Sequence, residues 1–250
     1  MRSIKLIALA AVLGIAPMMY AQANDAQIQA DVQHALDGKR FSGVQVQVQN
    51  GVVMLTGNVA LYSAKEDADR KAHHRKDVRA VRNMIEVNGG GENTSDAYLQ
   101  KKLSEKLAVD RVGYGTTAFN NLELGVHDGV VTLRGTMYGP SDKDSAISLV
   151  ENTPGVRDVI DEIDVAPTSP MDDQIRMAEA RAIYGEPALN KYALDPAKSI
   201  RITVVGGHVT LNGVVISEGD KNIAGIKANT VPGVFSVVNN LQVEGHERGK

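Results

Sequence analysis

The sequence contains no cysteine and no tryptophan, and aromatic residues make up only 4% of its 250 residues. Without cysteine the chain can form no disulfide, no thiolate metal site and no cysteine nucleophile. We also expect no bacterial lipoprotein anchor, which requires a cysteine after the signal. Because aromatic side chains are so few, any core must consist mainly of Val, Ile, Leu and Ala. Small domains with such cores are expected to be only modestly stable.

The sequence also lacks an excess of positive charge. Lys and Arg number 27 against 30 Asp and Glu, a formal net charge of −3. No basic tract is interleaved with aromatic residues, so the pattern is not that of a nucleic-acid-binding protein. Beyond the N-terminus no apolar run is long enough to cross a bilayer, and we therefore expect no transmembrane span in the mature chain.

The first 23 residues have the pattern of a secretory signal peptide. Arg2 and Lys5 precede an apolar stretch over residues 6–15, and residues 21–23, Ala-Gln-Ala, form a cleavage motif. The apolar stretch is too short to span a bilayer comfortably. We therefore predict cleavage after residue 23 and a periplasmic mature protein.

An eight-residue motif occurs three times at intervals of 78 residues. It reads Asn-Gly-Val-Val-Met-Leu-Thr-Gly at 50–57, Asp-Gly-Val-Val-Thr-Leu-Arg-Gly at 128–135 and Gly-Gly-His-Val-Thr-Leu-Asn-Gly at 206–213. The same register continues without a gap to the end of each copy, which indicates tandem copies of one structural unit. The predicted domains are module 1 over 24–88, module 2 over 95–165 and module 3 over 171–243, followed by a tail over 244–250.

Each module begins with a helical pattern. In module 1, Ile28, Val32 and Leu36 recur at a spacing of four and form one apolar stripe. Similar stripes begin at Leu99 in module 2 and at Ile175 in module 3. The predicted N-caps of these helices are Asp25, Asp96 and Asp172 or their neighbours.

The repeated motif predicts a β-hairpin in each module. Alternating Val and Gln residues over 44–48 form its first strand in module 1. Asn-Gly, Asp-Gly and Gly-Gly pairs mark two-residue turns in which both residues need positive φ. The second residues of these pairs, the predicted structural turn glycines, are Gly51, Gly129 and Gly207.

A second helix and a third strand complete each module. Pro-Gly turns follow the second helix in modules 2 and 3, so Gly155 and Gly233 are also predicted turn residues, whereas module 1 has Lys76-Asp77 there. The helix is predicted over 61–75, 140–153 and 217–230, and the strand over 81–87, 159–165 and 237–243.

The predicted element order is α-β-β-α-β. Two helices and three strands bury their apolar faces most simply as a two-layer sandwich. The predicted fold class is therefore α+β, with three tandem two-layer modules that each contain a three-stranded mixed sheet and two helices. The pattern leaves open whether the third strand pairs with the first or the second.

The hairpin motif and a later Gly-Val-x-x-Val-x-Asn/Asp-x-Ile/Leu-x-Val motif together resemble the BON domain, named for bacterial OsmY and nodulation proteins. The later motif spans 155–165 in module 2 and 233–243 in module 3. A signal peptide followed by BON repeats is similar to the osmotically inducible periplasmic proteins of the OsmY group. The resemblance implies a non-enzymatic periplasmic role in envelope integrity or stress response. Phospholipid-surface binding and chaperone-like activity are both associated with the family.

The sequence shows no pattern for catalysis, metal binding or a cofactor. His73 and His74 are adjacent on a predicted helix, point about 100° apart and cannot chelate one ion together. Residues 113–118 imitate a dinucleotide fingerprint, but they follow a helix and precede a strand, the reverse of the required order. We therefore predict no catalytic residue, no metal, no cofactor and no enzymatic activity.

Two sets of polar residues occupy equivalent positions in the modules. Asn83, Asp161 and Asn239 share the parity of the apolar residues in the third strand, which favours side-chain hydrogen bonds to neighbouring backbone over catalysis. The second set, at the start of the second helix, is predicted to be a solvated face and consists of Lys65, Lys143 and Lys221.

The best candidate for ligand binding is the C-terminal end of the second helix of module 1. Arg70, Lys71, Arg75 and Lys76 cluster there, and modules 2 and 3 have no equivalent cluster. Such cations would attract the head groups of anionic phospholipids. The competing interpretation is that they remain solvated and balance the negative end of the helix. The predicted partners are thus anionic phospholipid or envelope proteins.

Two other functions would show themselves in the tertiary structure. A chaperone-like protein for outer-membrane or exported clients would have an exposed apolar groove between modules. An enzyme would have a polar cleft with strongly perturbed titrating groups.

Overall fold

The structure, a computed structural model, describes residues 16–89 and 95–245. The helices are α1 (Ala16–Ala35), α2 (Tyr62–His73), α3 (Asp96–Ala108), α4 (Pro140–Glu151), α5 (Pro170–Tyr184), α6 (Lys191–Leu194) and α7 (Glu218–Asn229). The strands are β1 (Val44–Gln49), β2 (Val52–Val59), β3 (Ala80–Asn83), β4 (Glu86–Val87), β5 (Asn121–His127), β6 (Val130–Met137), β7 (Asp158–Val165), β8 (Arg201–Val205), β9 (His208–Asn212), β10 (Val214–Val215), β11 (Ser236–Asn239) and β12 (Gln242–Val243).

Most of the predicted signal peptide, residues 1–15, and the tail residues 246–250 lie outside the described residues. The remaining signal residues, 16–23, belong to α1. Among the described residues, no helix is long and apolar enough to cross a membrane.

Each module repeats the predicted α-β-β-α-β order with a mixed sheet. In module 2, β5 pairs antiparallel with β6, and β6 pairs parallel with β7 from Val130↔Asp158 to Met137↔Val165. Modules 1 and 3 have the same arrangement, with β2 and β9 in the centre of their sheets. The third strand therefore pairs with the second, because the second helix crosses over the sheet and returns the chain to the free edge of the hairpin.

The third strand is continuous in module 2 but broken in modules 1 and 3. In module 1 it consists of β3 and β4, which pair with successive parts of β2. At the break, Asn83 Oδ1 accepts a hydrogen bond from Ile85 N (3.2 Å), and Asn83 Nδ2 donates to Lys65 O (3.0 Å). Asn239 makes the equivalent bonds in module 3. The prediction of one continuous strand was thus wrong for these two modules.

Module 2 carries an aspartate at this position, and a carboxylate cannot donate to the helix carbonyl. Asp161 Oδ1 still accepts from Ile163 N (3.0 Å). Lys143 Nζ lies 2.7 Å from Asp161 Oδ2 and donates to Ile163 O (2.8 Å). The predicted hydrogen bonds from these residues to backbone are confirmed, whereas the prediction that Lys143 is merely solvated was wrong.

The hairpin turns have the left-handed backbone of type I′ turns. The first turn residues have φ of 53° at Asn50, 51° at Asp128 and 58° at Gly206. The glycines that follow have φ of 77° at Gly51, 75° at Gly129 and 77° at Gly207. The turns after the second helix also need positive φ, which is 103° at Gly155, 89° at Gly233 and 63° at the non-glycine Asp77.

The aspartates predicted as N-caps bind these turns and do not cap the helices, so the prediction was wrong for the aspartates themselves. Asp96 accepts hydrogen bonds from Asp128 N (2.7 Å) and Gly129 N (2.9 Å). These backbone N–H groups, Gly129 first, lower the pKa of Asp96. Asp25 and Asp172 bind their own hairpins in the same way. The caps are serines that precede the helices in modules 2 and 3. Ser95 is the direct neighbour of Asp96, as the prediction allowed, and Ser169 lies three residues before Asp172.

The cores lie between each sheet and its helices. In module 1 the predicted stripe residue Val32 is fully buried against the central-strand residues Val53 and Leu55. The core of module 3 also includes Phe119, which precedes β5 of module 2. The described residues accordingly form two compact units, one with module 1 up to residue 89 and the other with modules 2 and 3 together from residue 95.

Candidate functional site

The predicted cationic cluster lies at the C-terminal end of α2. Ala64, Ala68 and Ala72 form the buried face of this helix, so the long cationic side chains extend from its other faces. Arg70 is exposed and forms an ion pair with Asp67. Asp67 also pairs with Arg40, which adds a cation from the 3₁₀ turn between α1 and β1 to the same surface.

The other cations of the cluster contact backbone carbonyls. Lys71 Nζ donates to Ala35 O (3.1 Å) and lies 5.8 Å from the centre of the Phe41 ring. Arg75 Nε donates to Lys71 O (3.1 Å), and Lys76 is exposed. A neutral carbonyl does not cancel the charge of its donor, so this end of module 1 retains positive charge.

The two adjacent histidines make separate contacts. His73 Nε2 lies 3.5 Å from Asp69 Oδ2, and His74 Nδ1 lies 2.6 Å from Arg70 O. Across the described ranges, no group of three or more His, Asp or Glu side chains is arranged to hold a metal ion.

The unit of modules 2 and 3 contains a second candidate, a cleft of about 760 Å³ between the two modules. Leu122 and Leu124 of β5 line one side. Val214 and Ile216, at β10 and just after it, line the other and are 53% and 58% exposed. Ligand pockets in proteins have this size and a mainly apolar lining.

The charged residues of the cleft are balanced. Its lining includes the cations Lys191, Lys198 and Arg201 and the acids Asp110, Asp195 and Glu244. The Arg201 guanidinium donates to Pro196 O (2.8 Å) and to Thr117 O of module 2, and burial lowers its pKa. A cleft with both signs of charge around an apolar surface does not select a ligand by its net charge.

A buried aspartate of α4 holds the long loop of module 2 beside this cleft. Asp142 is 3% exposed and accepts three hydrogen bonds at Oδ1. The donors are Arg111 Nε (3.4 Å), Thr116 Oγ1 (2.5 Å) and Asn120 Nδ2 (2.9 Å). Asn120 and Thr117, at the end of this loop, line the cleft.

Asp220 has the same role in module 3. Its carboxylate accepts hydrogen bonds from Tyr192 Oη (2.6 Å) and Lys191 Nζ (2.8 Å), and Tyr192 Oη accepts from Ile216 N (2.8 Å). Burial acts to raise the pKa of Asp220, but these donors outweigh it and the pKa is lowered. Burial first, and then the bond to Asp220, raises the pKa of Tyr192 to about 12.

Sequence reasoning missed this pair of aspartates, although a signal was present. Asp142 and Asp220 share the 78-residue register, while module 1 has Ala64 at the equivalent position. The segment between the first helix and the first strand is short in module 1, residues 36–43, and longer in modules 2 and 3, residues 109–120 and 185–200. The aspartate therefore accompanies the two long loops that it binds.

A model of the BON domain matches residues 24–89, 95–167 and 187–245. The chain belongs to the BON-domain family. The three modules of the structure are therefore three BON domains in tandem. The third match omits α5, which packs on β8 within module 3.

A relative in Anaplasma centrale, an uncharacterized protein in the gshII 5′ region, is 27% identical over 120 residues, which cover 48% of this chain and 80% of that protein. Two solved structures of CdsD, a structural protein of the type III secretion system of Chlamydia trachomatis, are also similar. The first is 13% identical with a TM-score of 0.25, covering 87% of this chain and 92% of that one. The second, of the C-terminal domain, is 12% identical with a TM-score of 0.26, covering 86% and 96%.

The predicted cationic cluster and the cleft lie in different BON domains. Arg70, Lys71, Arg75 and Lys76 come together at one end of the first domain, as their sequence spacing implies. The cleft belongs to the second and third domains, and no residue of the cationic cluster lines it. The structure thus offers two distinct candidate surfaces, one cationic and one mainly apolar.

Proposed function

We propose that this BON protein is a non-catalytic binding protein of the bacterial envelope that attaches to anionic phospholipid surfaces through the cationic end of α2. The observation that carries the proposal is the charge that this end retains, because Lys71 and Arg75 donate hydrogen bonds to neutral carbonyls and Lys71 otherwise lies over the neutral Phe41 ring. Export to the periplasm, supported by the signal-peptide pattern of residues 1–23, would bring this surface to the membrane.

The expected attachment is weak and sensitive to salt. Each cation near an anionic membrane contributes about 1 kcal/mol. The ion pair with Asp67 reduces the contribution of Arg70 to this attraction. The nearby acids Asp69 and Asp77 reduce the contributions of the other cations. The attraction acts within a screening length of about 8 Å at physiological salt, so it must be local and not a property of the acidic chain as a whole.

Replacement of the four cations by glutamine is expected to reduce binding to anionic vesicles several-fold. The experiment is co-sedimentation of the mature chain, which we expect to begin at Asn24, with phosphatidylglycerol and phosphatidylcholine vesicles at low and high salt. The matched control removes the same charge from the other unit, by Lys101→Gln, Lys102→Gln, Arg157→Gln and Arg181→Gln. Equal binding by the cluster variant and the wild type would refute the proposal.

A second candidate function, chaperone-like binding of unfolded envelope clients, is favoured by the cleft between modules 2 and 3. An apolar, charge-balanced surface suits extended segments of varied sequence. We expect Val214→Gln with Ile216→Gln to reduce the ability of the protein to keep an unfolded outer-membrane protein soluble, measured by light scattering. Val205→Gln, an exposed apolar position that does not line the cleft, is the control. If both variants suppress aggregation as well as the wild type, the cleft does not bind clients.

A further inference from the structure

Helix α5, the first helix of module 3, carries a carboxyl group at a position where α1 and α3, the first helices of modules 1 and 2, carry an apolar core residue. Seven residues after the turn-binding aspartate, module 1 has Val32 and module 2 has Leu103, and both are fully buried. The equivalent residue of module 3 is Glu179, whose exposure is also 0%. A glutamate therefore replaces an aliphatic side chain at the same place in the fold.

Glu179 has no polar partner inside the module. It lies on the same face of α5 as the core residues Ile175 and Ile183, at a spacing of four from each. Neither of its side-chain oxygens has a hydrogen-bond partner. An ionised carboxylate in such surroundings is very unfavourable, so the group keeps its proton instead. Burial alone raises the pKa of Glu179 to about 8.

Most charged groups on α5 and on the elements packed against it are engaged elsewhere, and the others on α7 are Glu218, which is exposed, and Lys221, which is half-buried. On β8, Arg201 binds the carbonyls of Pro196 and Thr117. On α6 and α7, Lys191 pairs with Asp220. Further ion pairs and hydrogen bonds hold Lys227 to Glu186, Arg176 to Asp173 and Val204, and Tyr184 to Ile200.

We propose that Glu179 makes module 3 a pH-responsive module, in which α5 is held on its sheet by a protonated side chain and is released as the pH rises. Modules 1 and 2 have Val32 and Leu103 at this position and therefore have no titrating group there. The BON match of module 3 also omits α5, whereas the matches of modules 1 and 2 include α3 and the part of α1 from residue 24. Helix α5 therefore departs from the family pattern. Release of α5 would expose its own apolar face, which includes Ile183, and the apolar residues of β8 that it covers, such as Ile202.

The direction of the effect follows from proton linkage. Below about pH 4.5 the carboxyl is protonated both in the packed and in the released helix, so pH has no effect through this group. Between about 4.5 and 8 only the released helix has lost the proton, and the opening equilibrium rises up to tenfold per pH unit. Above about 8 both forms are ionised and the dependence ends.

Native-state hydrogen exchange of the mature three-module chain tests the proposal. After correction for intrinsic exchange rates, the protection of the α5 amides should fall about tenfold per pH unit between pH 5.5 and 7.5. The α3 amides of module 2, which pack through Leu103, should show no such dependence and serve as an internal control.

Two reciprocal substitutions separate the titration of Glu179 from other pH effects. Glu179→Leu should abolish the pH dependence of α5 protection. Glu179→Gln, which is polar but does not titrate, should also abolish it, even though a buried amide should lower the overall protection of α5. Leu103→Glu should transfer the pH dependence to α3. Unchanged pH dependence of α5 in both Glu179 variants, or equal dependence of α3 and α5 in the wild type, would overturn the proposal.

Discussion

Asp142→Ala is expected to lower the free energy of unfolding of the unit formed by modules 2 and 3 by about 3–5 kcal/mol, the usual loss when one partner of a buried charged pair is removed. The carboxylate is 3% exposed and binds Arg111, Thr116 and Asn120. Without it the loop between α3 and β5 loses its common anchor, and the buried amide of Asn120 loses an acceptor.

Chemical denaturation monitored by circular dichroism measures this loss. Asp144→Ala is the matched control, because Asp144 is an exposed acid on the same helix and its loss should cost no more than about 0.5 kcal/mol. Asp142→Asn, which retains one acceptor oxygen, should fall between the two. A midpoint for Asp142→Ala equal to that of Asp144→Ala would show that the loop does not depend on this carboxylate.

Gly135→Ala is expected to destabilise the same unit by about 2–5 kcal/mol, as the sum of backbone strain and steric overlap. Gly135 has φ of 132°, and a Cβ atom there would lie 2.1 Å from Asn121 O on the paired strand. A backbone oxygen cannot rotate away as a flexible side chain would, so β5 and β6 must separate at this end of the hairpin.

The control for this substitution is Gly125→Ala on β5. A Cβ atom at Gly125 has no other atom within 4 Å, so the change should be nearly neutral. Gly57 occupies the equivalent position in module 1, where a Cβ atom would lie 2.0 Å from Gly43 O, and Gly57→Ala should destabilise module 1 in the same way. Thermal unfolding that is unaltered by Gly135→Ala would contradict the close approach of the two strands.

Much of each module was predictable from local sequence. The alternating 44–48 segment forms β1, and the second helix predicted over 140–153 spans Pro140–Glu151. The 78-residue register then extended these assignments to all three copies, so the module order and the BON family followed from a pattern that needs no tertiary contact. Turn chemistry and side-chain periodicity act over a few residues, which is why the sequence shows them directly.

Other features depended on contacts between distant residues. Asp96, at the start of α3, has the sequence pattern of a cap, but it binds a turn more than 30 residues away. The strand break at Asn83 depends on a carbonyl of the neighbouring helix. Periodicity cannot reveal such bonds, because a short polar side chain finds its partner only after the elements have packed.

The sequence by itself determined the three α-β-β-α-β modules, their hairpin turns and the cationic end of α2, because each is specified by residues close together in the chain. Only the tertiary structure decided the strand order, the cleft between modules 2 and 3 and the burial of Glu179. A glutamate within a helix is normally solvated, and its sequence neighbours give no sign to the contrary. The environment of Glu179 is set by β8 and α7, which pack against α5 and are distant from it in the sequence.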